Sequence, residues 1–245
     1  MLILYDIDMT LLETDHVGIG IMERAGADAF GEGFSARGVE FGGCLDPDIL
    51  GRLLIHNGIE PRPEHIETLH AGYRVGLAAL EPGWSRPLPG AMELLEWTRT
   101  MDEAPCIGLL TGNYPDTGAL KLRGAGYDPG VFEVCVWGSD APPNDPRRDH
   151  LPPVALERMA RRGDPIEDPA SVLIIGDTIH DVACARAHGC TVLAVATGHH
   201  TASELAGAGA HKVVNDLTDT HGAGAWIREH LGRFGPRGVW TRSTP

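Results

Sequence analysis

The chain opens on Leu2-Ile3-Leu4, an apolar run without charge, and reaches two carboxylates directly after Tyr5, in Asp6-Ile7-Asp8. A short uncharged apolar run suits a strand buried on both faces, as in a parallel sheet. Residues two apart on a strand share a face, so Asp6 and Asp8 project together from the strand's C-terminal end. In open α/β sheets ligands bind outside that end. Two adjacent like charges repel and need a cation or a shared proton. Asp6-Ile7-Asp8-Met9-Thr10 behind an apolar strand therefore reads as a divalent-metal site with a carboxylate nucleophile. The plainer alternative is a turn in which Asp and Thr cap backbone groups.

Downstream, the pattern is helical before it is α/β. Residues 17–30 have helical character, and the glycine-rich stretch 31–43 reads as a loop. Asp46-Pro47 supplies an N-cap and a first helical residue. Ile49, Leu50, Leu53 and Leu54 keep helical spacing, and Gly58 ends that helix. A further helix spans 63–80, with Ile66, Leu69, Tyr73, Leu77 and Leu80 on one face. Residues 15–87 thus form a helical insertion without a strand signal, followed by the breakers Pro82, Gly83, Pro87, Pro89 and Gly90. Strands at 106–110, 131–137, 171–175, 191–196 and 212–214 then alternate with helices at 91–101, 115–124, 151–162, 179–188 and 222–231. That alternation predicts an α/β fold: a parallel sheet covered by helices on both faces.

Composition narrows the partners. The net charge is −14 and only Lys121 and Lys212 are lysines, so no basic stripe for nucleic acid exists. The acidity also argues against an anionic membrane surface. No apolar segment approaches the roughly 20 residues that span a bilayer, and the N-terminus lacks the basic start of a signal peptide. Five scattered cysteines, Cys44, Cys106, Cys135, Cys184 and Cys190, suit small buried residues in a reducing cytoplasm better than disulfides or a zinc site.

Further chemistry sits at the other strand ends. Thr111-Gly112-Asn113 places a hydroxyl and two amides between a strand and a helix, where a phosphoryl group can bind; Thr111 as an N-cap is the plainer role. Gly176-Asp177-Thr178-Ile179-His180-Asp181 ends another strand in a glycine that permits close approach and two carboxylates four apart. These acids add to an oxygen-rich site of the kind Mg²⁺ prefers, unless Asp177 merely caps the helix. A phosphoryl site also needs a fixed cation, and Arg147, Arg148 and Lys121 are the candidates.

Taken in order, Asp6-Ile7-Asp8-Met9-Thr10, the Thr111 motif, a basic residue and Gly176-Asp177-x-x-x-Asp181 resemble the haloacid dehalogenase (HAD) superfamily in its phosphatase-like branch. The resemblance covers 1–14 and about 88–220. It implies a Rossmann-like core at 1–14 and 88–232, a mobile helical cap at 15–87, and a loose tail at 233–245. It implies Asp6 as nucleophile, Asp8 as general acid/base, Thr111 as phosphoryl ligand and Arg148 as the basic residue. Thr10, Gly112 and Asn113 would touch the substrate. Mg²⁺ would be held by Asp6, Asp177 and Asp181, with Asp8 contributing its carbonyl. The implied activity is Mg²⁺-dependent hydrolysis of a small phosphorylated metabolite through an aspartyl-phosphate. A phosphosugar mutase or a non-catalytic phospho-ligand binder shares parts of the pattern, but loss of Asp6 or Asp8 would be expected in the binder. An acid at position 8 favours a phosphatase over a dehalogenase, whose leaving group needs no proton. Met9 departs from the glycine usual at its position, and the absence of lysine from 15–87 argues against Schiff-base chemistry. Within the cap, 34–45 and Arg52 are candidate specificity positions, and His199-His200 follow a strand end.

Overall fold

The structure, a computed structural model, describes residues 1–101 and 104–234. The chain runs β1 (Leu2–Tyr5), β2 (Leu12–Glu13), α1 (Val17–Phe30), α2 (Asp46–His56), α3 (Pro63–Ala78), β3 (Arg86–Pro87) and α4 (Ala91–Arg99). It continues with β4 (Cys106–Leu110), α5 (Pro115–Gly124), β5 (Val134–Val136), α6 (Leu151–Arg161), β6 (Val172–Gly176) and α7 (Ile179–Ala187). β7 (Thr191–Val195), α8 (Ala202–Gly207), β8 (Lys212–Val214) and α9 (Thr220–Leu231) complete it.

Six strands form one parallel sheet in the order β5-β4-β1-β6-β7-β8. The period-two geometry of a strand sends β1 into two cores. Ile3 and Tyr5 face a cluster completed by Leu94, Leu122 and Ile227 from α4, α5 and α9. Leu2 and Leu4 face the opposite cluster, with Leu151, Val182 and Leu205 from α6, α7 and α8. All four are fully buried, each contributing roughly 2 kcal/mol through lost apolar exposure. This two-sided burial accounts for the uncharged start of the sequence.

Sheet order sets the position of the site. β1 lies between β4 and β6, with Tyr5 level with Leu109 on one side and Ile175 on the other. The strand order reverses at β1, which opens a crevice beyond its C-terminal end. Asp6, Thr111 and Asp177 all emerge there.

Helices α1, α2 and α3 build a separate apolar cluster around Met22, Leu50, Leu53, Leu69, Tyr73 and Leu77. Phe34, expected at a specificity position, is buried in this cluster, where its ring fills the space beside Gly26. Two connections that read as irregular pair instead. β2 and β3 form a two-stranded antiparallel ribbon, with Leu12 opposite Pro87 and Glu13 opposite Arg86. Such short pairing leaves no periodic trace in sequence. The helix α8 was also not anticipated. Of the expected tail 233–245, Arg233 falls in a short 3₁₀ turn, Gly232–Phe234, and 235–245 lie outside the described residues.

Met9 occupies the left-handed region at φ 56°. Its N–H donates to the Leu12 carbonyl at 2.8 Å, and its own carbonyl accepts from the Thr197 hydroxyl. The turn that glycine favours is therefore retained with methionine in it, at a cost arising from the Cβ. Met9→Gly should raise unfolding free energy by about 1 kcal/mol, measured as a higher denaturant midpoint at unchanged slope. A lower midpoint would show that side-chain packing at Met9 outweighs backbone strain.

Candidate active site

Three carboxylates converge beyond the sheet. One oxygen from each of Asp6, Asp177 and Asp181 lies within 4.8 Å of the others, and all three residues are buried. Asp6 follows β1 and its N–H donates to the Ile175 carbonyl at 2.9 Å. Asp177 follows β6, and Thr10 donates to its Oδ1 at 3.3 Å. Helix α7 is capped by Thr178, not by Asp177, and this capping places Asp181. The Thr178 N–H and hydroxyl both donate to Asp181 Oδ2, at 3.1 and 2.6 Å, while the hydroxyl accepts from the Asp181 N–H. This reciprocal box fixes the carboxylate rotamer. Gly176 is required beside it, since a Cβ there would stand 2.3 Å from the Asp181 carboxyl carbon.

Arg148, on the turn before α6, is the counter-charge. Its Nη2 lies 3.1 Å from Asp6 Oδ2 and 2.6 Å from Asp181 Oδ1, and it donates to the Leu110 carbonyl at 3.3 Å. Burial pulls this guanidinium down, but Asp181 and Asp6 outweigh burial and hold it above its ordinary range. The arginine does not balance the cluster: three carboxylates against one guanidinium leave two excess negative charges. Burial pushes Asp6 up to about 6, with Arg148 opposing and Asp181 and Asp8 adding to the rise. Asp177 is raised well above the ordinary carboxylate range by burial, then by Asp181 and Asp6. Despite its closeness to Arg148, Asp181 Oδ1 receives no hydrogen bond. An oxygen-only donor set, a buried unsatisfied oxygen and a deficit of two positive charges fit a hard divalent cation.

A second ion pair flanks the first. Lys121 on α5 places Nζ 2.9 and 2.8 Å from the two oxygens of Asp8. Asn113 links the pieces: its side-chain amide donates to Asp8 Oδ2 at 2.7 Å and to the Thr111 hydroxyl at 2.8 Å, and its oxygen accepts from Lys121 at 2.6 Å. Thr111 is fully buried and does not cap α5, a role taken by Tyr114. Burial lowers the Lys121 ammonium, but Asp8, Tyr73 and Asp46 together hold it above its ordinary range. The sequence offered Arg148 and Lys121 as alternatives, whereas the fold brings in both, one at Asp6 and one at Asp8. Arg147 is exposed and pairs with Asp145 and Asp149. The Asp8 carboxylate stands apart from the three clustered acids.

The inserted helices supply the facing wall. Asp46 was expected to cap α2; Leu45 holds that position, and the buried Asp46 carboxylate reaches across to the α5 side. Its Oδ2 accepts from the Tyr114 N–H at 3.1 Å and the Thr117 hydroxyl at 3.4 Å, and its own N–H donates to the Gly112 carbonyl at 2.7 Å. Gly112 admits this contact because a Cβ there would sit 2.3 Å from the Cys44 carbonyl oxygen. His70 on α3 adds a 2.9 Å contact to Asp116 and stacks on Tyr114. Between the two walls lies a cavity of about 660 Å³ that includes Asp6, Asp8, Thr111, Lys121, Arg148 and Asp177. His199 and His200 also line it, as do 40–44 of the proposed specificity loop. Arg52 does not line it and pairs with Asp48 on the surface. Sequence reasoning missed Asp46 and Tyr73 as cavity residues. Lys121, one of the basic candidates in the sequence, reaches the cavity from α5.

A strand-end cluster of buried carboxylates inside this α/β fold suits a hydrolytic enzyme, and comparison with known proteins agrees. Residues 151–220 match the HAD-hydrolase-like family. A hydrolase from Pseudomonas syringae is 25% identical over 92% of this chain and 98% of that one, with a TM-score of 0.69. CbbY from Rhodobacter sphaeroides, solved in complex with phosphate, is 18% identical over 89% of this chain and 95% of that one, with a TM-score of 0.69. A predicted phosphoglycolate phosphatase from Haemophilus somnus is 17% identical over 91% and 96%, with a TM-score of 0.64. A search of curated sequences finds no match. The family match is confined to residues 151–220, and over the whole chain the likeness is one of fold to HAD-like hydrolases.

The raised acids have a measurable consequence. Asp6 has a folded value near 6 against an ordinary 3.8, so the folded chain holds a proton that the unfolded chain has lost in that window. Metal-free stability therefore falls as pH rises from about 4 to about 6. A divalent cation held by the deprotonated acids would restore stability above that window. Saturating MgCl₂ should raise Tm by on the order of 5 °C at pH 7.5 and far less at pH 5, with Asp181→Asn removing most of the gain. An equal rise at both pH values would separate the cation from these carboxylates.

Proposed function

We propose that the protein is a Mg²⁺-dependent phosphomonoesterase acting on a small phosphorylated metabolite through an aspartyl-phosphate on Asp6. The observation that carries this reading is the pairing of a buried carboxylate beside a guanidinium, Asp6 with Arg148, with a second carboxylate, Asp8, on the same cavity. Asp6, Asp177 and Asp181 would hold Mg²⁺ with the Asp8 carbonyl; the bound ion supplies charge neutralisation to the phosphoryl oxygens.

Asp6 is the nucleophile, ionised above about pH 6. Arg148 orients it and offsets the repulsion between a carboxylate and a phosphoryl group. The phosphoryl oxygens lie against Thr111, with the Gly112 and Asn113 amides beside it and Thr10 close by. Attack on phosphorus forms the acyl phosphate and releases an alkoxide, which Asp8 protonates. Asp8 then takes a proton from the water that cleaves the acyl phosphate. Lys121 and Asn113 donate to Asp8 and fix its carboxylate in place on the cavity. The Asp8 side chain keeps 39% of its exposure, so exchange with solvent can deliver the proton required for the first step. Helices α1–α3 act as a cap that excludes water and reads the alcohol part of the substrate. This is supported by their separate core and by their share of the cavity wall.

Purified protein should hydrolyse p-nitrophenyl phosphate with Mg²⁺ and lose that activity in excess chelator. Asp6→Asn should lower kcat at least about 10³-fold with the circular dichroism spectrum retained. Asp8→Asn should cost on the order of 10²-fold or more with alkyl phosphates and under about 10-fold with p-nitrophenyl phosphate, whose leaving group needs little proton assistance. Turnover that persists in Asp6→Asn rules out the covalent route. A uniform loss in Asp8→Asn assigns that residue to structure.

A further inference from the structure

The cavity's charges are unevenly committed. Its cationic side chains among the described residues are Lys121 and Arg148, and each is already held by a catalytic carboxylate. Beyond the catalytic acids, four more carboxylates line it. Glu13 and Asp15 are paired with Arg86 at 3.1 and 2.7 Å. Glu40 and Asp46 have no ion pair among the described residues. Asp46 is 6% exposed, and while its Oδ2 takes two protein hydrogen bonds, its Oδ1 takes none. An acceptor left free on a residue that lines the cavity is open to a donor from the ligand. The remaining polar groups are imidazoles. His16 stacks on His199, and His180 stands near His200.

A phosphomonoester bearing a second anion, a carboxylate or another phosphate, would place that charge beside Glu40 or Asp46 with no free cation to receive it. Like charges brought together in a cleft repel and select against the wrong ligand. A hydroxyl or ammonium group would instead donate to Asp46 Oδ1 and to Glu40, with the imidazoles of the cavity as further partners. We infer that the substrate is a phosphomonoester whose alcohol part is a polyol or an amine without a second anionic group, with Asp46 and Glu40 as the residues that select it. This rests on the phosphomonoesterase reading and extends it to substrate class. It disfavours the sugar bisphosphates on which a phosphosugar mutase depends.

The test uses two matched series with Mg²⁺ present. The two-carbon series is 2-aminoethyl phosphate, 2-hydroxyethyl phosphate and 2-phosphoglycolate. The six-carbon series is glucosamine 6-phosphate, glucose 6-phosphate and 6-phosphogluconate. Within each series the carbon count is kept while the charge of the alcohol part runs from positive through neutral to negative, and the two-carbon series does so without a change of ring form. In at least one series kcat/KM for the amine or the neutral ester should exceed that for the carboxylate at least tenfold. Asp46→Asn, which keeps an oxygen for Tyr114, should narrow that ratio at least threefold. Glu40→Gln, at an exposed position that folding tolerates, should narrow it too. A carboxylate substrate that is equal or better in both series overturns the inference while leaving the phosphatase reading intact. So does a ratio unchanged in both variants. Absence of p-nitrophenyl phosphate hydrolysis by the unmodified protein overturns both.

Discussion

The contact on which this site depends is the buried guanidinium of Arg148 between Asp6 and Asp181. Removing two or three charges from water costs several kcal/mol each unless partners replace the hydration. Here the partners come from separate parts of the chain: Asp6 from the end of β1, Asp181 from the first turn of α7, and the Leu110 carbonyl from β4. Arg148 can be satisfied only when these strands lie side by side, so the ion cluster and the strand order are mutually dependent. The cluster still keeps excess negative charge, which stores unfavourable energy in the metal-free protein. Such local conflict between stability and composition is expected where a site is built for a charged ligand.

The second pair, Lys121 with Asp8, divides the labour between two cations. In the proposed mechanism Arg148 serves the group that attacks, and Lys121 serves the group that moves protons. Asn113 ties the second pair to Thr111, so the phosphoryl-facing hydroxyl and the proton-transfer group share one hydrogen-bonded frame. Tyr73 and Asp46 approach the same lysine from the inserted helices. The position of those helices and the electrostatics at Asp8 are therefore coupled through one ammonium group.

Much of the fold was legible because its signals are local and periodic. The apolar strand β1, the exact limits of α1, β4 and α5, and the order of alternating elements follow from burial on two faces and from helix punctuation. Asp6, Asp8, Asp177 and Asp181 were legible because carboxylates at strand ends violate the apolar pattern that precedes them. What escaped depends on contacts across long sequence separations. Asp46 carries a strong N-cap signal, yet its side chain is drawn 68 residues away to the Tyr114 N–H. Lys121 and Arg148 looked like rivals because sequence distance gives no measure of how many carboxylates a cleft assembles. Phe34 was misplaced because an aromatic in a glycine-rich loop looks accessible until Gly26 opens a slot for its ring.

The ribbon of β2 and β3 has a wider meaning for the architecture. Where residue 13 leaves the sheet-bearing part of the chain and residue 86 returns to it, the two are hydrogen-bonded neighbours. The 72 residues between them are therefore a closed excursion, topologically a side loop on a finished scaffold. A side loop can be lengthened, shortened or exchanged without altering any strand crossing in the sheet. Its sequence can drift under pressures unrelated to the carboxylates it overhangs. The two-residue ribbon thus makes the cleft a composite of two parts, a reactive floor constrained by buried charge and a roof constrained by its own apolar core and by the contacts of Asp46 and His70 with the α5 side.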